Sequence, residues 1–560
     1  MEAPALTTTD EQLVVGDIPA PPPGLQPRPA LLAQLNRASQ KPPVVLTGIW
    51  GAGKTQLAAT YARARLADSW RLIAWINARN SETLLAGLAA VAKAAGLSAG
   101  GSRPGPADAG QAVRDWLEAD GSFRLLVFDD VEDLGLLRPF VPAAGEARVL
   151  ITAAREPTAK LGTSVRVDVF SAEEALALLD GRTGLADEDG ALAVAVQLGY
   201  LPLALDQAAG MIAKQHVGYA AYLAKLRALS AEDHLVREDD DEEAEQQPSP
   251  PGAAEAVLLA MEATSVADRL GVSIAVMELV AMLSPAVVRR DLLHSAGQAG
   301  TLLGGGRRVA ASMVDQALER LNERSLLGFS LDGQVVSVHR LAARVIRAGL
   351  ARQGRLGPAC RVAASAVEGS AAALATHPDL AAVMEMLDQV AALTESAGTA
   401  ADDPGEQLPA MLTRLRSLAL NHLVELGDTL PHAIAIGEPL IADLDRLLGP
   451  DDPDAVRARN DLARAYRETG RVADAIPLVE QVLAARERLL GGSDPRTLAS
   501  RNNLASAYRA TGRAADAIGL FEENLAACER LFGADHPRTL ASRHSLDLAR
   551  QESAQAARGR

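Results

Sequence analysis

The chain has 560 residues, a formal net charge of −16 and an apolar content of 48%. This length suits three or four domains with their own cores, and the acidic balance argues against nucleic acid as the main partner, because phosphate binding requires a cationic surface. Its two cysteines, Cys360 and Cys528, lie far apart in sequence, which argues against a disulfide framework or a zinc cluster.

Residues 1–40 contain the proline-rich stretch "IPAPPPGLQPRPA" and predict an extended N-terminal arm that leads into a short helix. The first residues lack the basic start and apolar core of a signal peptide. The most apolar later run, Val272 to Val288, is interrupted by Glu278 and Pro285, so it predicts a buried helix rather than a membrane span. We therefore expect a soluble, cytoplasmic protein.

Five apolar runs rich in β-forming residues alternate with helical patterns in residues 41–170. They are "VVLTG" at 44, "LIAWI" at 72, "LLVF" at 125, "RVLIT" at 148 and "VRVDV" at 165. This alternation predicts βαβ units, and hence an α/β domain with a parallel five-stranded sheet. Helical sequence fills 171–230, where Ser171 and Glu174 form a capping box. An acidic and proline-rich linker follows over 231–253.

The second half of the chain is predicted to be mostly helical. Residues 254–355 include a β-hairpin pattern, "LLGFSLDGQVVSVHR", whose "LDG" supplies the turn, and 356–410 form a helical connector. Over 411–560 the sequence repeats itself every 42 residues, and Pro453, Pro495 and Pro537 keep that step. A fixed period of this length predicts an all-α solenoid of helix pairs.

The stretch "GIWGAGKT" follows the first predicted strand and precedes a helix, and it fits the phosphate-loop pattern. Glycines let backbone N–H groups converge on phosphate oxygens, Lys54 reaches between the β- and γ-phosphates, and Thr55 offers its hydroxyl to Mg²⁺. A chance glycine turn is the alternative. The predicted nucleotide-binding residues here are Gly48, Gly51, Ala52, Gly53, Lys54, Thr55 and Gln56.

A second acidic element, "RLLVFDDVEDL", is expected on a strand that neighbours the phosphate-loop strand. Asp129 would complete the Mg²⁺ shell with Thr55, and Asp130 would orient a water for attack on the γ-phosphate. An acidic surface loop is the alternative reading of these two carboxylates.

These motifs, together with "VLITAAR", "GYLPLALDQAAGMI" and "VHRLAARV", occur in the order found in NB-ARC ATPases, which belong to the STAND class of P-loop proteins. The chain resembles this family over residues 12 to about 350, and with its repeats it is similar to bacterial NB-ARC–tetratricopeptide proteins. The resemblance implies a nucleotide-binding domain, a helical domain and a winged-helix domain ahead of the repeats, with ATP or ADP and Mg²⁺ as cofactors.

The resemblance also implies roles for residues outside the phosphate loop. Arg155 would sense the γ-phosphate as a catalytic residue, although an exposed arginine after a strand remains an alternative. Pro202 would pack against the base and sugar, or merely form a helix-breaking turn. His339 would contact the β-phosphate of ADP and lock a closed state, or serve as a packing residue; Arg340 stands where the family has aspartate. The segment expected to cradle adenine contains Leu25, Gln26 and Arg28.

The repeats resemble the 42-residue tetratricopeptide form of kinesin light chains. In this register one column of polar side chains lines the concave face, where asparagines would hold a peptide backbone and arginines its acidic groups. An ordinary solvated helix face is the alternative. The predicted partner-binding residues are Asn460, Arg464, Arg467, Asn502, Arg509 and His544.

Together these features predict a nucleotide-controlled STAND switch, off with ADP, on with ATP and slow in hydrolysis. Its repeats would sense a protein or peptide ligand in signalling, regulation or defence. Output would pass to an effector protein in trans or through a homo-oligomer of the ATP-bound form. Two alternatives remain open: a repeat scaffold with a vestigial nucleotide site, and a P-loop enzyme with rapid turnover.

Overall fold

A computed structural model of the chain describes residues 12–40, 43–97, 106–153, 161–232, 252–374, 380–398, 407–427 and 429–558. It divides into two compact units. The first comprises Met1–His377 and Met384–Pro404, and the second comprises Pro378–Val383 and Gly405–Arg560. The first unit contains the predicted nucleotide site, and the second contains the repeats.

The first unit is built on a parallel sheet of six strands, in the order β1-β3-β4-β5-β2-β6. The strands are β1 (Leu13–Val15), β2 (Val44–Thr47), β3 (Leu72–Asn77), β4 (Arg124–Val131), β5 (Arg148–Ala153) and β6 (Thr163–Arg166). The central strands are buried on both faces, and two separate apolar clusters cover the sheet. A parallel sheet with both faces covered explains why these strands read as continuous apolar runs.

The predicted number of five strands is wrong, because β1 adds a sixth at the sheet edge. It pairs with β3 from Leu13↔Leu72 to Val15↔Ala74. This strand lies inside the predicted N-terminal arm, and three residues are too few to give a recognisable alternation. The short helix expected after the arm is present at Pro29–Ala38.

Helices cover the sheet and continue beyond it. Those beside the sheet are Lys54–Ala67, Ser81–Ala94 and Pro106–Ala119, and the next four are Ala172–Thr183, Glu188–Gln197, Pro202–Gln215 and Tyr219–Glu232. The predicted capping box is confirmed: the Ser171 hydroxyl accepts the N–H of Glu174, and the Glu174 carboxylate accepts the N–H of Ser171. Most of the predicted linker 231–253 falls outside the described residues.

The rest of the first unit combines helices with short strands. The helices are Ala253–Ala267, Val272–Met282, Arg290–Ala299, Ala311–Glu323, Arg340–Arg352, Leu356–Leu374 and, from Met384 onward, Leu380–Gly398. Strands β7 (Val288–Arg289), β10 (Leu327–Phe329) and β11 (Val335–Val338) form an antiparallel sheet, and β8 (Leu303–Gly304) pairs with β9 (Arg307–Arg308). The predicted hairpin is therefore confirmed as β10–β11, and the apolar run at 272 is a buried helix.

The second unit is a series of helices, each packed on the next along the chain. They are Gln407–Leu426, Leu430–Leu447, Pro453–Glu468, Val472–Leu490, Pro495–Ala510, Ala514–Phe532 and Pro537–Arg558. The repeated prolines open three of these helices, where a missing N–H is harmless. In the two helices that begin at Pro453 and Pro495, the side chain of the preceding aspartate caps the helix. The predicted helical repeat is confirmed.

Among the helices of the described residues, none is both long and apolar enough to cross a membrane. Both cysteines are buried free thiols.

Candidate functional site

The predicted phosphate loop joins β2 to the helix Lys54–Ala67 through three glycines with positive φ. Gly53, at φ 94°, precedes the first helical residue, and among the described residues no side chain caps this helix there. Gly48 has φ 147°, and a Cβ at that position would lie 2.2 Å from the carbonyl oxygen of Val167. The first N–H groups of the helix therefore face the loop, which is the arrangement that binds phosphate.

Lys54 folds back over this loop. Its ammonium donates to the carbonyl oxygens of Gly48 at 2.7 Å and Ile49 at 3.0 Å. Burial lowers the pKa of Lys54 to about 8, while the carboxylates of Asp130 and Asp129 act in the opposite direction. The side chain is therefore still a cation at neutral pH, placed at the mouth of the loop.

The acidic pair lies at the end of β4, where the pairing of β4 with β5 shifts register between Phe128 and Val131. Asp130 takes a left-handed backbone conformation at this bulge, with φ 65°. Asp129 Oδ1 accepts the Thr55 hydroxyl at 3.0 Å. Burial and the charge of Asp130 raise the pKa of Asp129 to about 6, against hydrogen bonds from Thr152 and Thr55 that lower it. The structure thus joins Thr55 to Asp129.

The expectation that β4 neighbours the phosphate-loop strand is wrong, because β5 lies between β2 and β4. Thr152 on β5 bridges the gap. Its hydroxyl donates to Asp129 Oδ1 at 2.6 Å and accepts the backbone N–H of Asp130 at 2.9 Å. Thr152 was not among the predicted site residues; the signal available in the sequence was a hydroxyl near the end of an otherwise apolar strand.

The turn before the helix Pro202–Gln215 packs on the phosphate loop. The N–H of Leu203 lies 3.4 Å from the carbonyl oxygen of Gly51, and a Cβ on Gly51 would come within 3.2 Å of the Leu201 side chain. Tyr200 adopts φ 57°, a left-handed backbone conformation that is usual for glycine. Pro202 opens the helix at its first turn, next to the loop.

His339 and Arg340 reach the same site from the end of β11. The His339 side chain caps the helix Arg340–Arg352 by accepting the N–H of Leu341 at 3.2 Å through Nδ1. Burial, with the positive charges of Lys54 and Arg340, lowers the pKa of His339 to about 4. Arg340 donates to Asp130 Oδ2 at 2.5 Å and to Glu132 Oε1 at 2.8 Å.

The N-terminal segment lies beside this site but uses its arginine elsewhere. The Arg28 guanidinium donates to the backbone oxygens of Asp168 at 2.9 Å and Val169 at 3.2 Å, and to Glu174 at 3.2 Å. Leu25 and Gln26 are half-buried. The nucleotide contacts of these three residues stay predictions. Arg155 lies outside the described residues.

The residues present suit a Mg²⁺-nucleotide. The Thr55 hydroxyl and the Asp129 carboxylate, already in contact, are oxygen ligands of the kind that Mg²⁺ prefers. Ala52 is buried in the loop, and Gln56 Oε1 is buried without a hydrogen-bond partner among the described residues. The loop therefore offers backbone donors, a cation and a paired hydroxyl and carboxylate in one place.

In the repeat unit, Asn460, Asn502 and His544 occupy equivalent positions on the first helix of each pair, and Arg467 and Arg509 form a second equivalent set. Asn460 and Asn502 are half-buried, and His544 is exposed. Two of the arginines already hold carboxylates: Arg464 pairs with Glu468 at 2.8 Å and Arg509 with Glu552 at 2.9 Å. Arg467 is half-buried, and its Nε has no partner in the described part of the chain.

Comparison with known proteins identifies the repeats. Residues 456–496 and 497–538 match the tetratricopeptide repeat family model, which confirms the predicted repeats. A search of curated proteins found no match.

The solved structures that match the chain include two ATPases and a protein with TPR-like repeats. The chain is similar to the Signal Transduction ATPase with Numerous Domains (STAND) protein with a tetratricopeptide repeat sensor from Pyrococcus horikoshii, at 13% identity over 96% of this chain and 81% of that chain, with a TM-score of 0.38. The Walker-type ATPase of Pyrococcus abyssi matches at 12% identity over 58% and 96%, with a TM-score of 0.29. A kinesin-light-chain-like protein with TPR-like repeats from Podosopora anserina matches at 25% identity over 37% of this chain and 86% of that chain, with a TM-score of 0.25.

Proposed function

We propose that this protein is a STAND-type ATPase switch that holds ADP in a closed state, opens with ATP and hydrolyses it slowly. The observation that carries the proposal is the contact of Arg340 with Asp130, 210 residues away, beside Lys54 and Thr55. A segment distant in sequence thus occupies the carboxylate expected to act in hydrolysis. An enzyme built for rapid turnover would leave that carboxylate accessible.

Each residue of the site has a role in this proposal. Backbone N–H groups of residues 51–56 bind the phosphates, and Lys54 neutralises them. Thr55 and Asp129 hold Mg²⁺, which supplies positive charge against the phosphates. Asp130 orients the attacking water. Because Arg340 holds Oδ2 of Asp130, Arg340 must leave before Asp130 can act.

The residues that follow the linker complete the switch. In this proposal the helices and small sheets of residues 254–355 form a winged-helix-like domain that carries His339 and Arg340 onto the nucleotide. Arg155 senses the γ-phosphate, while Pro202, Leu25 and Gln26 contact the base and sugar. Release of this domain exposes surfaces for an effector protein or for a second copy of the chain.

The tetratricopeptide repeats would provide the sensor. An acidic protein or peptide ligand would take Arg464 from Glu468 and Arg509 from Glu552, so binding exchanges ion pairs rather than creating them. Surface ion pairs contribute only about 0–1 kcal/mol each. Asn460 and Asn502 would then fix the ligand backbone.

Identifying the nucleotide released when the purified protein is denatured tests the proposal. We expect close to one ADP per chain. Lys54→Ala should carry none and bind no added ATP, while Lys225→Ala, at an exposed lysine bound only to Gln215 among the contacts described, should behave as wild type. A wild-type protein that binds neither ATP nor ADP would favour the scaffold alternative, and turnover above about one per second would favour the enzyme.

A further inference from the structure

Five alternating charges connect the helix Leu380–Gly398 to the acidic pair. In order from the helix, the members are Glu395, Arg79, Glu132, Arg340 and Asp130. Their successive nitrogen–oxygen distances are 2.9, 3.3, 2.8 and 2.5 Å. All five belong to the first unit, although they come from four separate stretches of sequence.

We propose that Arg79 is a positioning residue in this chain of charges: it holds Glu132 and, through Glu132, holds Arg340 on Asp130. This inference rests on the proposed function, since only there does Asp130 take part in hydrolysis. Glu395 then places the far end of the chain of charges on the helix Leu380–Gly398, so a movement of that helix changes how firmly Asp130 is held.

Arg79 is half-buried, so its ion pairs differ from those between two fully exposed side chains. Its side chain is 16% exposed, whereas Glu132 and Glu395 are each 48% exposed. Its backbone N–H donates to Asn77 Oδ1 at 3.1 Å, which fixes it at the end of β3. A half-buried cation that loses one of its two carboxylates has less compensation for its lost hydration, so its position depends on both partners.

The helix Leu380–Gly398 is attached to both sides of the site. Asn80 donates to Asp388 at 3.1 Å, next to Arg79. Gln389 accepts the N–H of Ser284 at 2.8 Å, just ahead of β7. Two hydrogen bonds therefore hold this helix, one to the residue next to Arg79 and one to the segment ahead of β7.

The two arginines also border one cavity, which is lined as well by Trp50, Ala343 and Ala392. Arg79 and Arg340 therefore face the same space beside the chain of charges.

Single-turnover ATP hydrolysis by the full chain tests the role of Arg79. Arg79→Ala should raise the rate about two- to fivefold, the range of a modest coupling between interacting residues, with ATP affinity unchanged. Arg79→Lys, which keeps the charge, should return towards the wild-type rate. The matched control is Arg71→Ala, just before the same strand, whose side chain is 59% exposed and pairs with Asp120 at 3.8 Å; its rate should not change.

The coupling itself is tested in the Arg340→Ala background. If Arg79 acts through Arg340, Arg79→Ala causes no further increase in the hydrolysis rate of Arg340→Ala. The proposal is overturned if Arg79→Ala alone leaves the rate unchanged, or if it raises the rate by the same factor with and without Arg340. A wild type without nucleotide binding would refute the proposed function instead. In that case, denaturant unfolding of the variants tests the coupling. The decreases in unfolding midpoint for Arg79→Ala and Arg340→Ala, added together, should exceed the decrease for the double variant. Strictly additive decreases refute the coupling.

Discussion

Arg340 donates to Asp130 at 2.5 Å, although the two residues are 210 positions apart. Arginine stands here where the family resembled by the sequence has an aspartate, so the sign of the charge is reversed. An aspartate would repel the acidic pair, whereas Arg340 is attracted to Asp130 and to Glu132. In the proposed switch, the contact therefore blocks hydrolysis directly, in addition to any contact that His339 makes with ADP.

Arg340→Ala should accordingly speed up hydrolysis. A hydrogen bond to a charged group contributes about 1.5–3 kcal/mol, and the partial exposure of both side chains reduces this, so we expect a rise of about tenfold. The hydrolysis rate of Arg340→Lys should lie between those of wild type and Arg340→Ala, since a lysine cannot contact Asp130 and Glu132 with the same planar geometry. Single-turnover hydrolysis at saturating ATP measures the effect. A rate equal to that of wild type would mean that the ion pair does not limit hydrolysis.

Thr152 offers a separate test of the acidic pair. Thr152→Val keeps the shape of the side chain but removes the hydroxyl that contacts Asp129 and the N–H of Asp130. The gain in nucleotide affinity on adding Mg²⁺ should fall about tenfold, the effect of losing a hydrogen bond to a charged group, while affinity without Mg²⁺ stays the same. Thr152→Ser should restore the gain. If binding falls equally with and without Mg²⁺, Thr152 has only a structural role.

Local features of the site followed from the sequence because each depends on a few neighbouring residues. The phosphate loop needs its glycines in a fixed order between a strand and a helix, and the capping box at Ser171 needs residues only three apart. The hairpin β10–β11 needs a short turn between two apolar runs.

Features that depend on the order of the strands in the sheet could not be predicted from the sequence. Nothing near Asp129 in sequence indicates that β5 lies between β2 and β4, and so nothing marked Thr152 as its partner. The pairing of Arg340 with Asp130 has the same origin, because it joins elements that only the tertiary fold brings together. Strand β1 was not predicted because its three residues are fixed by pairing with β3 and carry no pattern of their own.

Because the repeats share one structure, we expect the same substitution at equivalent positions to cause the same loss of stability. Tyr466 donates to Glu438 at 2.7 Å and Tyr508 to Glu480 at 2.5 Å, both 28 residues back. Because the glutamates are partly solvated, Tyr466→Phe and Tyr508→Phe should each destabilise the second unit by about 1 kcal/mol. Urea unfolding followed by circular dichroism measures this. Clearly unequal losses would show that the two repeats do not share this interaction.

The protonation of His339 gives the first unit a pH-dependent stability. Its pKa is about 4 in the folded chain, against 6.5 ordinarily, so the unfolded state binds more protons between these values. The free energy of unfolding is therefore highest above pH 6.5. It falls by roughly 1–3 kcal/mol as the pH is lowered to about 4. His339→Asn keeps a helix-capping side chain but removes this component. All four tryptophans precede residue 117, so their fluorescence follows the first unit; parallel pH curves for wild type and variant would contradict the prediction.

The same neutral imidazole limits how strongly His339 can hold ADP. With Nδ1 accepting from Leu341, the proton lies on Nε2, which can donate to a phosphate. One such hydrogen bond is worth about 1.5–3 kcal/mol, whereas moving a switch from 1:99 to 99:1 takes about 5.5 kcal/mol. His339→Ala should therefore speed ADP release about tenfold and raise the fraction of open or assembled protein only part-way, with full opening requiring Arg340→Ala as well. Release of a fluorescent ADP, with size-exclusion profiles in ADP and ATP, measures both effects. An His339→Ala protein that retains ADP like wild type would identify His339 as a helix cap with no part in the switch.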